Sequence, residues 1–165
     1  LLPFKSDMEI DEKAFRSHLC DLAAVEGISA ITINAHSMEV HALSIKEQAK
    51  TLEISLDELG SNIPLVHGVY ADGSANAAAI AKQAEAGGAS CLLVFPPNTL
   101  AMGGQMRPEM AIRHFETIAE ATELPIILFQ YPMGPGLGYP IDTLLKICER
   151  VPQIRAIKDL SLIHI

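Results

Sequence analysis

The chain has 165 residues, 49% of them apolar, and a mean hydropathy of +0.26, so it can bury a hydrophobic core and is not disordered. Its formal net charge of -8, without a cluster of Lys or Arg, argues against nucleic acid or an anionic membrane as a partner and favours small-molecule ligands. Three cysteines without C-x-x-C spacing indicate reduced thiols in a cytoplasmic protein, and no apolar segment is long enough to span a membrane.

In chain order, one unit repeats: an amphipathic helix followed by a short apolar strand. A first helix runs from about Asp11 to near Gly27. The second begins with the S-x-x-E capping box of Ser44 and Glu47, and the fourth has Pro108 at its first position. Leu1-Leu2 suggests the remainder of an initial strand. The later predicted strands are residues 30–34, 64–69, 91–95 and 125–130, followed by a last strand in the stretch 154–161, where Lys158 ends a short apolar run.

This alternation predicts an α/β fold with a parallel sheet covered by helices. A doubly wound sheet and a (β/α)8 barrel both fit the periodicity. The dinucleotide-binding sheet is disfavoured because no G-x-G-x-x-G follows the first strand, and no phosphate-binding G-x-x-x-x-G-K-[ST] occurs. In both architectures ligands bind beyond the carboxyl ends of the strands, where this chain has its long loops.

Lys158 stands at that end of the last predicted strand, on the same face as Ala156. Two interpretations are open. A lysine held between apolar walls has a lowered pKa and can attack a ketone to form a Schiff base, whereas a solvated lysine is only a surface charge. The residues around Lys158 decide between them.

Several segments, in order and spacing, resemble the dihydrodipicolinate synthase and N-acetylneuraminate lyase family of class I aldolase-like lyases. They are Pro3-Phe4, Ile10-Asp11, Leu43-Ser44, Gly68-Val69, the G-A-S-C-L-L-V of residues 88–94 and Ile157-Lys158-Asp159. The resemblance implies a (β/α)8 TIM barrel, of which residues 1–161 cover about strands 1 to 6. It also implies that Lys158 condenses with pyruvate or another 2-oxo acid. Residues 162–165 differ from the family and suggest a truncated or non-native end.

The carboxylate-binding G-T-T-G-E of the family aligns with residues 35–39, A-H-S-M-E. Ser37 keeps a hydroxyl. His36 replaces the other hydroxyl with an imidazole that could bind a carboxylate or move a proton, or simply face water.

A second departure falls in the family's Y-N-x-P, which aligns with residues 129–132, F-Q-Y-P. Phe129 has no hydroxyl, so the proton-transfer role of the family's tyrosine cannot be carried over. Tyr131, two residues later, lies on the same strand face. It either supplies the phenol from a position further along the strand or is only an aromatic residue of the loop. The family's P-Y-Y is Pro96-Pro97-Asn98 here, so the chain is not expected to be a true dihydrodipicolinate synthase.

We therefore expect a lyase or aldolase with Lys158 as the catalytic residue and His36, Ser37, Phe129 and Tyr131 as substrate-binding residues, without metal or cofactor. The alternative is a family member that binds a 2-oxo acid or sugar acid as a sensor or scaffold without turnover. A phosphate-binding barrel of another activity would need a glycine-rich site after strands seven and eight, which this sequence does not include. The resemblance further implies a homo-oligomer, a dimer or tetramer.

Overall fold

The structure, a computed structural model, describes residues 1–60 and 62–160. Helices and strands alternate along this part of the chain. They are α1 (Glu12–Ala23), β1 (Ile31–Ile33), α2 (Ile45–Leu59), β2 (Leu65–Val69), α3 (Ser74–Ala86), β3 (Cys91–Val94), α4 (Pro108–Ala119), β4 (Ile126–Gln130), α5 (Ile141–Arg150) and β5 (Ile154–Asp159).

Local sequence explains where the helices begin. The Asp11 carboxylate accepts a hydrogen bond from the backbone N–H of Ala14 at 3.0 Å and caps α1. In α2 the predicted capping box is present, because Ser44 Oγ accepts from the Glu47 N–H while the Glu47 carboxylate accepts from the Ser44 N–H. Pro108 opens α4, where its missing N–H has no intrahelical partner to lose.

The strands form one parallel sheet in the order β1-β2-β3-β4-β5, so each helix connects neighbouring strands. Such crossovers are right-handed, and five strands in sequential order therefore place all the helices on the same side of the sheet. A doubly wound sheet would reverse direction and carry helices on both sides. The predicted α/β barrel architecture is confirmed.

Some boundaries differ from the sequence-based ones. β1 ends at Ile33 because Asn34 has a φ of 51°, which takes the backbone out of the extended conformation. α1 ends at Ala23, before the Gly27 that was predicted to end it. Leu1-Leu2 lies outside the sheet, so the lysine strand is the fifth observed strand. The prediction for residues 162–165 lies outside the described residues.

Apolar side chains form two separate clusters, one on each face of the sheet. The larger cluster fills the space between sheet and helices and includes Phe15, Leu92, Phe115 and Ile118. The smaller one lies on the opposite face, which is the inside of the barrel, and consists of Ala35, Val66, Leu93, Phe95 and Phe129. Within the described residues, no helix is long and apolar enough to cross a membrane.

Candidate functional site

The inner cluster lies toward the carboxyl ends of the strands, where the long loops begin. Phe95 directly follows β3, and Phe129 lies near the end of the neighbouring strand β4. Their ring centroids are 4.9 Å apart. His36 covers them, with its ring 4.3 Å from Phe95 and nearly parallel to Phe129 at 5.9 Å. The two phenylalanine rings form an apolar surface, and the imidazole of His36 packs on top of it.

A close approach of two strands positions His36. A Cβ atom on Gly68 in β2 would stand 1.9 Å from the carbonyl oxygen of Asn34, so only glycine allows the chain after β1 to approach β2 this closely. Asn34 then turns with its positive φ into a 3-10 turn, His36–Met38. This turn carries His36 over the inner cluster and leaves Ser37 exposed beside it.

Lys158 lies on the inner face at the edge of the sheet. Parallel pairing of β4 with β5 sets Phe129 opposite Lys158, and the Lys158 Nζ lies 4.1 Å from the centroid of the Phe129 ring, a cation–π geometry. The predicted apolar wall is therefore present on one side. Lys158 is otherwise exposed, because β5 is the outermost strand of the described sheet.

Tyr131 and His36 are in direct contact across 95 positions of sequence, with the Tyr131 hydroxyl hydrogen-bonded to His36 Nε2. Partial burial against the aromatic rings lowers the pKa of His36, and His41 and Lys158 lower it further, so the imidazole favours its neutral form. Burial, followed by the effect of Tyr70, raises the pKa of Tyr131. A neutral imidazole bonded to a protonated phenol can pass a proton in either direction.

The structure thus brings four of the five predicted site residues together: Lys158, Phe129, Tyr131 and His36. It also adds Tyr70 and His41, whose rings lie 5.9 Å and 6.4 Å from that of His36. Neither was singled out from sequence. Tyr70 directly follows β2 on the same side as Val66 and Gly68, so strand alternation was a usable signal for it. His41 follows the 3-10 turn and has no comparable sequence signal.

Comparison with known proteins identifies the family. The sequence model of the Dihydrodipicolinate synthetase family matches residues 1–162. The chain belongs to this family. Among its relatives, the 4-hydroxy-tetrahydrodipicolinate synthase of Salinibacter ruber is 32% identical over 161 residues, which cover 96% of this chain and 51% of that protein.

Solved structures agree on the fold. A dihydrodipicolinate synthase from Agrobacterium tumefaciens superposes with a TM-score of 0.85 at 28% identity, covering 96% of this chain and 52% of that one. CdNal from Clostridium difficile, in complex with mannosamine, gives a TM-score of 0.88 at 20% identity and covers 98% and 54%, a likeness of fold alone. The chain spans about half the length of these family relatives.

The family assignment confirms the predicted resemblance. The narrower expectation, that the chain is not a true dihydrodipicolinate synthase, gains no support, because the Salinibacter ruber and Agrobacterium tumefaciens proteins carry synthase names.

Proposed function

We propose that the protein is a Schiff-base-forming lyase or aldolase that acts on pyruvate or another 2-oxo acid. The Lys158 amine adds to the ketone carbon, a C–N bond forms, and the carbonyl oxygen leaves as water. As the carbon–carbon bond one atom beyond the imine carbon breaks, the protonated imine accepts its electron pair and becomes an enamine, which a proton then returns to the imine. In the direction of bond formation, the imine loses a proton from the neighbouring carbon, and the resulting enamine supplies the electron pair. No metal or cofactor enters this sequence of steps.

The observation that supports this proposal most is the direction of the Lys158 side chain. Its amine lies over Phe129 on the inner face of the sheet and contributes to lowering the pKa of His36. A lysine one position earlier or later on β5 would lie on the opposite face of the sheet, away from Phe129 and His36. On this proposal Ser37 and His36 bind the substrate carboxylate. The hydroxyl of Tyr131, which is bonded to His36, transfers a proton to or from the substrate.

Borohydride trapping tests the imine directly. The chain is incubated with pyruvate, reduced, digested and mapped by mass spectrometry, and the reduced pyruvate adduct is expected on Lys158. Lys146, which is exposed on α5, is the internal control and should stay unmodified. A Lys158→Arg variant should give no adduct. An unmodified Lys158 in the folded chain contradicts the proposal.

A second function has one observation in its favour. Phe129 pairs directly with Lys158 but has no hydroxyl, so the residue nearest the proposed imine cannot transfer a proton. A sensor or scaffold that binds a 2-oxo acid or sugar acid without turnover would fit this pairing. Retro-aldol turnover of a panel of 2-oxo acids by the full-length protein separates the two functions, since a trapped imine without product favours the sensor.

Pro96-Pro97-Asn98, in place of the family's P-Y-Y, is the reason for proposing an activity other than dihydrodipicolinate synthesis itself, and the same panel tests that point. We further propose a cytoplasmic homo-oligomer, a dimer or tetramer. Its cytoplasmic location is suggested by the free thiols of Cys20, Cys91 and Cys148.

A further inference from the structure

Aromatic rings gather on the inner face around the position of the proposed imine. The chain has five Phe and three Tyr, and four of these eight residues lie at this end of the sheet, together with two histidines. The six are Tyr70, Phe95, Phe129, Tyr131, His36 and His41. The centroid of the His36 ring lies between 4.3 Å and 6.4 Å from those of the other five. Such separations are typical of packed aromatic side chains.

These rings divide into a buried layer and an accessible one. Phe95 and Phe129 are 1% and 5% exposed and form the apolar surface beneath His36. His41 and Tyr131 flank His36, with ring centroids 6.4 Å and 5.7 Å from it. The two histidines are exposed and Tyr131 is half-buried, so all three rings have surface that a bound molecule can cover. Aromatic side chains of this kind hold flat, apolar groups in ligand sites.

The phenol hydroxyls of this cluster are already hydrogen-bonded. That of Tyr131 is bonded to His36 Nε2, and that of Tyr70 accepts from the side-chain amide of Asn98. A substrate group with many hydroxyls would have to break these bonds or leave its own polar atoms without partners, and either costs binding free energy. An aryl group requires no such partners.

The distribution of charge supports the same kind of substrate. Toward the carboxyl ends of the described strands, the inner-face side chains other than Lys158 are uncharged, namely Val66, Leu93, Phe129 and Ala156. The Lys158 amine itself is used for the imine with the 2-oxo acid. This part of the described sheet therefore offers no second cation to a partner that carries its own carboxylate.

From these rings and this absence of charge, we infer that the carbonyl compound joined to the 2-oxo acid is an aromatic aldehyde, whose ring packs against His41 and Tyr131. The inference rests on the proposed function and specifies its substrate. With pyruvate, the enamine carbon forms a bond to the aldehyde carbon. The proton that the methyl carbon has lost passes through the Tyr131–His36 pair to the aldehyde oxygen. Water then releases a 4-aryl-4-hydroxy-2-oxobutanoate and restores the Lys158 amine.

Aldol synthesis by the full-length protein tests this substrate class, with pyruvate and three aldehydes. The kcat/KM for benzaldehyde should exceed that for D-glyceraldehyde, a hydroxylated probe, and that for succinic semialdehyde, an acidic one. The expected factor is about tenfold, the effect of packing one ring. Benzaldehyde is the least electrophilic of the three, so intrinsic reactivity does not favour it. An equal or lower kcat/KM for benzaldehyde overturns the inference.

Two variants of His41 separate its ring from its charge. His41→Gln and His41→Phe both remove the effect of His41 on the pKa of His36, but only phenylalanine keeps a ring. His41→Gln should raise the KM for benzaldehyde about tenfold and His41→Phe should restore it, while the KM for D-glyceraldehyde is the same in both. His41 is exposed in a turn, so neither change removes a buried side chain. The same KM for benzaldehyde in both variants contradicts the placement of the ring.

Borohydride trapping with pyruvate separates a failure of this inference from a failure of the proposed function. An adduct on Lys158 without a preference for benzaldehyde overturns the aromatic substrate alone. An adduct without turnover of any aldehyde favours the sensor and also overturns it. If no adduct forms, both proposals fail, because no enamine is available to add to an aldehyde.

Discussion

The two faces of the sheet use the same kinds of residue in different ways. On the inner face His36 is exposed, stacks on aromatic rings and is hydrogen-bonded to Tyr131, and Lys158 lowers its pKa. On the outer face His67 is buried beneath α2 and hydrogen-bonded to Asn34. The inner face is accessible to solutes and carries the reactive groups, whereas the outer face holds most of the buried apolar surface. Mutations on the inner face should therefore affect mainly the chemistry, and mutations on the outer face mainly the free energy of unfolding.

The largest expected effect is on the outer core. Phe115 is 0% exposed between α4 and the sheet, and Phe115→Ala should lower the free energy of unfolding by about 3–5 kcal/mol, as for other buried aromatic truncations. Phe129→Ala, the matched change on the inner face, should cost less, because water from the open inner face can fill the space. Urea denaturation measures both. A larger loss for Phe129→Ala would contradict the assignment of stability to the outer face.

Low pH should lower the free energy of unfolding, because histidines are buried on the outer face of the sheet. Burial lowers the pKa of His67 and of His114 from 6.5 to about 4. As the pH falls from about 6.5 to about 4, these histidines bind protons in the unfolded chain but not in the folded chain. The free energy of unfolding that is present above about pH 6.5 is therefore lost across this range. The expected loss approaches about 3 kcal/mol per histidine near pH 4.

Denaturant unfolding at about pH 7 and about pH 4.5 measures this loss, and a His67→Gln variant isolates one histidine, since carboxylates titrate equally in both proteins. The variant should lose less stability on acidification than the unmodified chain. A difference between the two proteins that does not change with pH would show that His67 is not the group responsible.

On the inner face, the expected effect of Tyr131→Phe is on turnover. Loss of the phenol removes the partner of His36 Nε2 and should lower turnover of a 2-oxo acid by roughly 100-fold in the full-length protein, a typical value for general acid–base catalysis. Tyr70→Phe is the control, because its hydroxyl is bonded to Asn98 and not to His36. Equal losses in the two variants would argue against a specific role for the Tyr131–His36 pair.

The smallest expected effect is at the capping box of α2, which packs on the outer face. Ser44→Ala should lower the free energy of unfolding by about 1 kcal/mol, because the Glu47 N–H loses its acceptor. Ser90→Ala, at an exposed serine outside the helices, should change it by no more than about 0.5 kcal/mol. Thermal unfolding compares the two variants, and equal stability would indicate that the cap contributes nothing.

Much of the fold followed from the sequence because its signals are local. Apolar residues at helical or strand spacing, the box of Ser44 and Glu47, and Pro108 act within one turn of the chain, and the structure confirms each of them. The position of Lys158 at the carboxyl end of its strand followed in the same way, from alternation and from the long loops at that end.

The contacts that give the site its chemistry depended on the tertiary structure. Lys158 lies opposite Phe129 because the register between β4 and β5 shifts by one residue after Ile126. Tyr131 meets His36 because three crossovers bring the ends of β1 and β4 together. Likewise, Asn34 and His67 are hydrogen-bonded beneath α2 only because β1 pairs with β2 and α2 packs over them. Sequence spacing determines the local conformation of each segment, but side chains far apart in the chain meet only through the pairing of strands and the packing of helices on the sheet.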